Sequence, residues 1–261
     1  FCGWHSSSGV VTKLSVKLFP RHPLVDVIGI VVNDVEMVPD ILYKITQADM
    51  GDILFVVGSG PPKDELPQYI TVTISGDLPE ELAYKTAVYR RLAGECGGDA
   101  KGIHIMKRVP EPLKKRFVEY PTTVDPAGVA DFDKGGGFRY CGGILPLWQI
   151  PETWRGGLRI ARKYNIDFNA GVQVLGYGRS VMFGLIYTMN RADEASVERV
   201  RQAMKEANDM VHELGGISFT AEPDVQRQIM QKMDPNTRQL MERIKKTLDP
   251  NNIMNPGTWS A

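Results

Sequence analysis

The stretch 25-VDVIGIVV-32 is an apolar run of strand length interrupted only by Asp26, and the segments after it follow in the order of one compact motif. VEMVPDILYKITQADM (35–50) has helical spacing, with Pro39 near its start, where the first turn tolerates proline. DILFVVGSG (52–60) is again strand-like and runs into the breaker Pro61-Pro62. YITVTISGD (69–77) alternates cleanly, as a half-buried strand does. LPEELAYKTAVYRRLAGECGG (78–98) carries acids early, bases late and a glycine stop, the polarity a helix dipole favours. GIHIM (102–106) closes the series with a short strand. The order β-α-β-β-α-β predicts a ferredoxin-like split βαβ unit.

The alternation then repeats. Residues 107–137 read as a loop-rich connector, with prolines at 110, 112, 121 and 126. GFRYCGGILPL (137–147) predicts a strand and IPETWRGGLRIARKYN (150–165) a helix. FNAGVQVLGYGRSVMFGLIYTMNR (168–191) predicts a hairpin turning at Gly176-Tyr177-Gly178. DEASVERVRQAMKEANDMVHELGG (193–216) is a capped helix ending in two glycines, and ISFT (217–220) a short strand. The two halves share this order of elements and no visible sequence repeat. The expected fold is α+β: an antiparallel sheet covered by helices, in two ferredoxin-like halves.

Composition narrows the function classes. Of 261 residues, 43% are hydrophobic and 24% charged, enough for a sizeable core in one or two domains. The 31 basic and 31 acidic residues cancel, so no strong field draws the surface to nucleic acid or acidic lipid. No run reaches the length of a membrane span. Cys2, Cys96 and Cys141 have neither metal-ligand spacing nor an even count, which predicts a reduced, cytoplasmic setting. The 4 histidines form no H-x-x-x-H pair, against a zinc hydrolase.

The two ends add a second signal. WHSSSGVVTKLSVKLFP (4–20) is a small-residue turn followed by an alternating segment, which predicts a strand from Val10 to Leu18. MERIKKTLDPNNIMNPGTW (241–259) is a basic amphipathic helix stopped at Asp249-Pro250 and closed by Asn255-Pro256-Gly257. Together these ends, and the 143–220 region between them, resemble the later part of FAD-linked oxidases of the vanillyl-alcohol oxidase, 4-cresol dehydrogenase and D-lactate dehydrogenase superfamily. The resemblance implies residues 1–23 as the end of an FAD-binding domain and residues 24–106 as the first half of a cap domain. Residues 107–137 would be a connector, 138–222 the second cap half, and 223–261 helices and a tail returning to the FAD domain. Phe1 begins inside a turn, so the chain is expected to be part of a longer polypeptide or of a split enzyme.

The candidate site residues follow from this. Glycine and serine let backbone N–H groups approach a pyrophosphate, and Ser6, Ser7, Ser8 and Gly9 could supply them, with Val10, Val11 and Thr12 lining the flavin. Asn255 lies in the tail that the resemblance turns toward the flavin, although turn chemistry alone explains an asparagine there. Tyr140 and Cys141 are candidates for a covalent flavin link, or else a strand tyrosine and a buried cysteine. Arg179 could pair with a substrate carboxylate or a negative flavin, and Tyr177 and Tyr187 could line a pocket. No metal site is expected: where the hydroxyacid branch carries two histidines, this chain has Val174 and Val181. Where the phenol branch carries a Tyr-Arg pair, it has Phe219-Thr220.

The function this implies is FAD-dependent oxidation of a small alcohol, phenol or hydroxyacid-like substrate by hydride transfer to flavin N5. The enzyme would need its N-terminal FAD-binding part, would pass electrons to an unidentified acceptor, and is expected to be oligomeric. Two other classes fit the residues alone: a flavin-free assembly subunit, and a ferredoxin-like domain that binds a small ligand.

Overall fold

The structure is a computed structural model that describes residues 9–18, 20–62, 66–119, 137–219 and 221–259. Residues 21–219 form one compact unit, and the described parts of residues 1–20 and 220–261 form another.

The larger unit is built on eight antiparallel strands: β1 (Leu24–Val32), β2 (Ile53–Gly60), β3 (Gln68–Gly76), β4 (Ile103–Ile105), β5 (Gly137–Pro146), β6 (Phe168–Leu175), β7 (Ser180–Met189) and β8 (Ile217–Ser218). They make one sheet in the order β4-β1-β3-β2-β6-β7-β5-β8. Helices α1 (Val38–Gln47) and α2 (Pro79–Glu95) belong to the first half, and α3 (Glu111–Glu119) follows β4. Helices α4 (Ile150–Tyr164) and α5 (Glu194–Glu213) belong to the second half. Each half is therefore a β-α-β-β-α-β unit with its second strand at the inner edge. β2 and β6 pair antiparallel across the middle, from Phe55–Gln173 to Gly60–Phe168, so the second half runs in mirrored strand order. The ferredoxin-like reading holds, and the sheet is that motif doubled.

Local chemistry explains the elements. In α1, Val38, Ile41, Leu42 and Ile45 recur at helical spacing and all are buried. The side chain of Asp193 caps α5 by accepting from Ala195 N at 3.0 Å. α4 starts with proline in its first turn and ends at Asn165 in the left-handed conformation. One continuous core joins both halves on the helix side of the sheet, running from Ile30, Val56, Ile70 and Val72 to Val172, Phe183 and Leu185. Its centrepiece is Trp154 of α4, fully buried and edge-on to Phe168 at 5.1 Å between ring centres. The indole sits directly on Gly58 of β2: a β-carbon there would lie 2.4 Å from its ring.

The opposite face of the sheet is treated unequally. Over the first half it is partly covered, because Met106 and Val109 press on Gly29, and Phe117 of α3 meets Phe55 at 6.0 Å. Beneath this cover Thr71 and Thr73 are buried with hydroxyls that have no partner among the described residues. Over the second half none of the described helices of the larger unit replaces that cover, and Phe138, Ile217 and Phe219 are exposed.

In the smaller unit, α6 (Pro223–Lys232) and α7 (Pro235–Leu248) are followed by a tight turn. Asp234 caps α7, accepting from Asn236 N at 3.1 Å and Thr237 N at 3.0 Å. Trp259 N donates to Gln226 Oε1 at 3.0 Å, fastening the tail to α6.

Two expectations need correction. Residues 10–18 form no strand: they have no regular structure, and Val10, Val11, Leu14, Val16 and Leu18 are all exposed. Alternation marks a segment with one face to bury, but a strand also needs a neighbouring ladder, and none of the described strands pairs with it. The connector is also not all loop. It holds α3, which carries Pro112 in its first turn, where a proline removes no helical hydrogen bond. Residues 120–136 of the connector lie outside the described residues.

Candidate active site

The bare face of the sheet is the one broad surface whose composition is set by the pleat. On it stand Phe138, Tyr140, Gly142 and Ile144 of β5, Met182, Gly184 and Ile186 of β7, and Asn169, Gly171 and Gln173 of β6, while Val57 and Phe55 of β2 continue the rows. At these alternate positions the six long strands carry no Asp, Glu, Lys, Arg or His. The face is apolar and aromatic, with amide and hydroxyl groups between.

Its relief comes from glycine. Gly142 pairs with Gly184 and Gly184 with Gly171, which gives a row of three glycines across three adjacent strands. The ring of Tyr140 lies over the first two: a β-carbon would fall 2.4 Å from it at Gly142 and 2.5 Å from it at Gly184. Over Gly171 no atom of the described residues lies within 4 Å of the same position.

Cys141, next in sequence, points the other way, as a strand requires. It is buried in the core, with Sγ 3.4 Å from Asn208 Oδ1 of α5. Tyr187 is also on the core side, fully buried with no partner for its hydroxyl among the described residues. Burial pushes its phenol well above the ordinary range, with Cys141 and Glu206 adding to the shift.

Tyr177 and Arg179 occupy the β6–β7 turn. Tyr177 is exposed and left-handed at φ 56°, and its carbonyl accepts from Gln47 Nε2 of α1 at 3.1 Å. With Tyr43 and Gln47 these residues line a surface hollow on the helix side. Arg179 precedes Ser180, which pairs with Pro146, whereas Tyr140 pairs with Ile186. Six residues of strand, about 20 Å, therefore separate the two places. The structure brings Tyr140 to the bare face and leaves Tyr177 and Arg179 apart from it.

In the smaller unit, Gly9, Val10, Val11 and Thr12 are exposed, and Asn255 is left-handed at φ 45° within the terminal turn. Ser6, Ser7, Ser8 and Thr220 lie outside the described residues. Among the described residues no group of three potential metal ligands converges, and no helix is long and apolar enough to cross a membrane. The sequence reading names Tyr140 as a candidate and does not name Gly171, Asn169 or Gln173, which share its face of the sheet. Their signal is a glycine inside a strand pattern, which marks a close approach.

Comparison with known proteins agrees with this geometry. Residues 143–259 match the model of FAD linked oxidases, C-terminal domain. Among solved structures, 4-ethylphenol oxidase from Gulosibacter chungangensis, in an isoeugenol complex, superposes with a TM-score of 0.77 at 18% identity, over 94% of this chain and 55% of that one. p-Cresol methylhydroxylase with substrate bound gives 0.75 at 16% identity, over 92% and 53%. An alkyldihydroxyacetonephosphate synthase gives 0.59 at 10% identity, over 96% and 47%. The chain thus spans about half the length of the solved structures it matches. No curated protein matches its sequence.

Proposed function

From the match of residues 143–259 to the FAD linked oxidases, C-terminal domain, we propose that this chain belongs to that family and forms the substrate-covering part of an FAD-dependent oxidoreductase. The observation that carries the reading is the doubled sheet with one face packed by helices and the other half bare, apolar and free of ionised side chains. A face of that kind, laid over a flavin held by an N-terminal part, makes a dry chamber walled by protein on both sides.

The described residues fit one portion of FAD. The Tyr140 ring fills the space over Gly142 and Gly184, and the uncharged alternate positions of the long strands suit a neutral ring system. Ser6 to Ser8 lie outside the described residues, and Gly9 to Thr12 are exposed and open to a pyrophosphate. The rest of the phosphate seat is assigned to the N-terminal part. Bound FAD would accept the electrons of a substrate C–H oxidation.

The chain's own contribution is positional. Val57, Phe55, Met182 and Ile144 exclude water from the substrate, and Tyr140 offers a hydroxyl above an otherwise aliphatic floor. Holding a substrate carbon in a reactive geometry accounts for up to roughly 7–11 kcal/mol of a barrier in favourable cases. At their alternate positions on this face the six long strands present no carboxylate, imidazole or amine that could take a proton, so a base, where one is needed, comes from elsewhere. Substrates of the alcohol or phenol type suit such a face better than a hydroxyacid, whose carboxylate would meet no cation there.

The test is a visible spectrum of the native enzyme, purified with its N-terminal part. Flavin absorbance that bleaches anaerobically on adding an alcohol or phenol donor is the expected result. A colourless preparation overturns the reading and favours a flavin-free ligand-binding or assembly domain.

A further inference from the structure

We propose that the hollow between α1 and the β6–β7 turn is a second ligand site, built for a small aromatic carboxylate. Arg179 holds the carboxylate, and Tyr43 and Tyr177 flank the ring. The site lies on the helix side of the sheet and does not depend on the flavin reading.

A strained residue is the first observation. Gly176, Tyr177 and Gly178 are left-handed in succession, at φ 54°, 56° and 80°. Glycine adopts that conformation freely, but a tyrosine there crowds its β-carbon against its own backbone. Packing of the ring does not offset the strain, because Tyr177 is 69% exposed. Gln47 Nε2 donates to the Tyr177 carbonyl at 3.1 Å, a bond that any residue at this position could accept. The turn is held in place from two sides. A β-carbon on Gly178 would lie 3.3 Å from Thr46 of α1, and Leu147 N donates to Arg179 O at 3.4 Å. Strain that the surroundings maintain and the fold does not use points to function.

The lining defines what fits. The hollow, of about 600 Å³, is walled by Tyr43 and Gln47 of α1 and by Gly176, Tyr177, Arg179 and Ser180. Tyr43 and Gln47 are one helical turn apart and share a face, and the Tyr43 ring is exposed like that of Tyr177. Arg179 is exposed, and its guanidinium has no hydrogen-bond or ion-pair partner among the described residues. Asp49 and Asp52 line a separate, smaller hollow that shares only Tyr177 with this one, so they leave the guanidinium unneutralised. A guanidinium fork matches a carboxylate with two parallel hydrogen bonds, and the Gln47 amide and Ser180 hydroxyl add neutral donors. Tyrosine rings offer an aromatic ligand faces and edges to pack on. Tyrosines and an arginine gathered in one hollow have the composition of a binding hot spot. The bare face has the opposite preference, since its alternate positions on the long strands carry no cation.

Calorimetric titration of the native protein, purified with its N-terminal part, tests the site with benzoate as the probe and acetate as the same anion without a ring. Benzoate is expected to bind saturably, and acetate about 5-fold or more weakly, the effect of losing one aromatic contact. Arg179→Gln is expected to weaken benzoate roughly 10-fold or more, as the loss of a charged hydrogen-bond partner does. Tyr177→Gly suits the left-handed turn and removes the ring. It is expected to hold or raise the melting temperature while weakening benzoate about 5-fold. A melting temperature that falls in Tyr177→Gly would show that the ring serves packing, and overturns the inference. Acetate that binds as tightly as benzoate, benzoate binding that survives Arg179→Gln, or no saturable binding at all overturns it too. Because the readout is binding, a yellow and a colourless preparation test the site equally, and the flavin reading stands or falls on its spectrum alone.

Discussion

At the scale of single residues, the terminal turn is held by one carboxylate. Asp249 accepts from Ile253 N at 2.9 Å and Met254 N at 2.8 Å, and its other partner is the ammonium of Lys245, which also donates to Met254 O at 2.7 Å. The Lys245 hydrogen bond is the main reason its carboxyl sits below the usual carboxylate range, and the two backbone N–H groups reinforce it. A value lower in the folded than in the unfolded state fixes the sign: the lock is at full strength above the unfolded carboxylate value of about 4 and is lost as pH falls through the depressed value. Amide exchange at Ile253 and Met254 should therefore accelerate on acidification, relative to the intrinsic rate. Asp249→Asn should speed exchange at neutral pH and remove the acid-dependent step. Unchanged exchange in that variant would show that the turn is held by other contacts. The sequence announces the helix stop here through Pro250. It does not announce the lock, which depends on the chain folding back over Asp249.

At the scale of elements, glycine separates packing from vacancy. Gly58→Val drives a side chain into Trp154, and overpacking of that kind costs about 1–3 kcal/mol. Gly171→Val meets no atom of the described residues and should change stability by less than about 0.5 kcal/mol, or increase it. Urea denaturation of the two variants measures the contrast directly, and equal losses would sink the account of both glycines. The element order was legible because period and punctuation report it locally: apolar runs, capped helices and glycine stops gave β-α-β-β-α-β twice. Long-range pairing is not written that way. The three-glycine row exists only when Gly142, Gly171 and Gly184, from three separate strands, come into register. Residues 10–18 show the converse, since their alternation is real and the neighbour that would make them a strand is not among the described residues. α3 was missed because Pro110 and Pro112 read as loop, although a helix accepts proline in its first turn.

For the larger unit as a whole, the question is whether its two halves stand or fall together. Each half has the complete element set of a ferredoxin-like unit, so independent folding is conceivable from topology alone. Packing argues against it. The seam pairs Val56 with Val172, both fully buried, and Trp154 from the second half rests on Gly58 of the first. On the helix side Arg155 bridges Glu36 of the first half and Glu152 of its own helix, at 3.4 Å for the latter. That bridge is half-exposed, so Glu36→Gln should cost less than about 1 kcal/mol. The apolar seam matters far more. Val172→Asp would bury a carboxylate with no partner in the middle of the shared core, a class of change that exceeds about 4 kcal/mol. Native-state hydrogen exchange of slow amides in β3, such as Ile70, and in β7, such as Leu185, should report the same opening free energy in the unaltered protein. A milder seam variant, Val172→Ala, should lower both by the same amount, about 1–3 kcal/mol for a truncated core side chain. A fall confined to the second half would mean that the halves are separate folding units joined by a sheet edge. Equal falls would mean that the doubled motif is one cooperative platform, rigid enough to keep the three glycines of β5, β6 and β7 in fixed register.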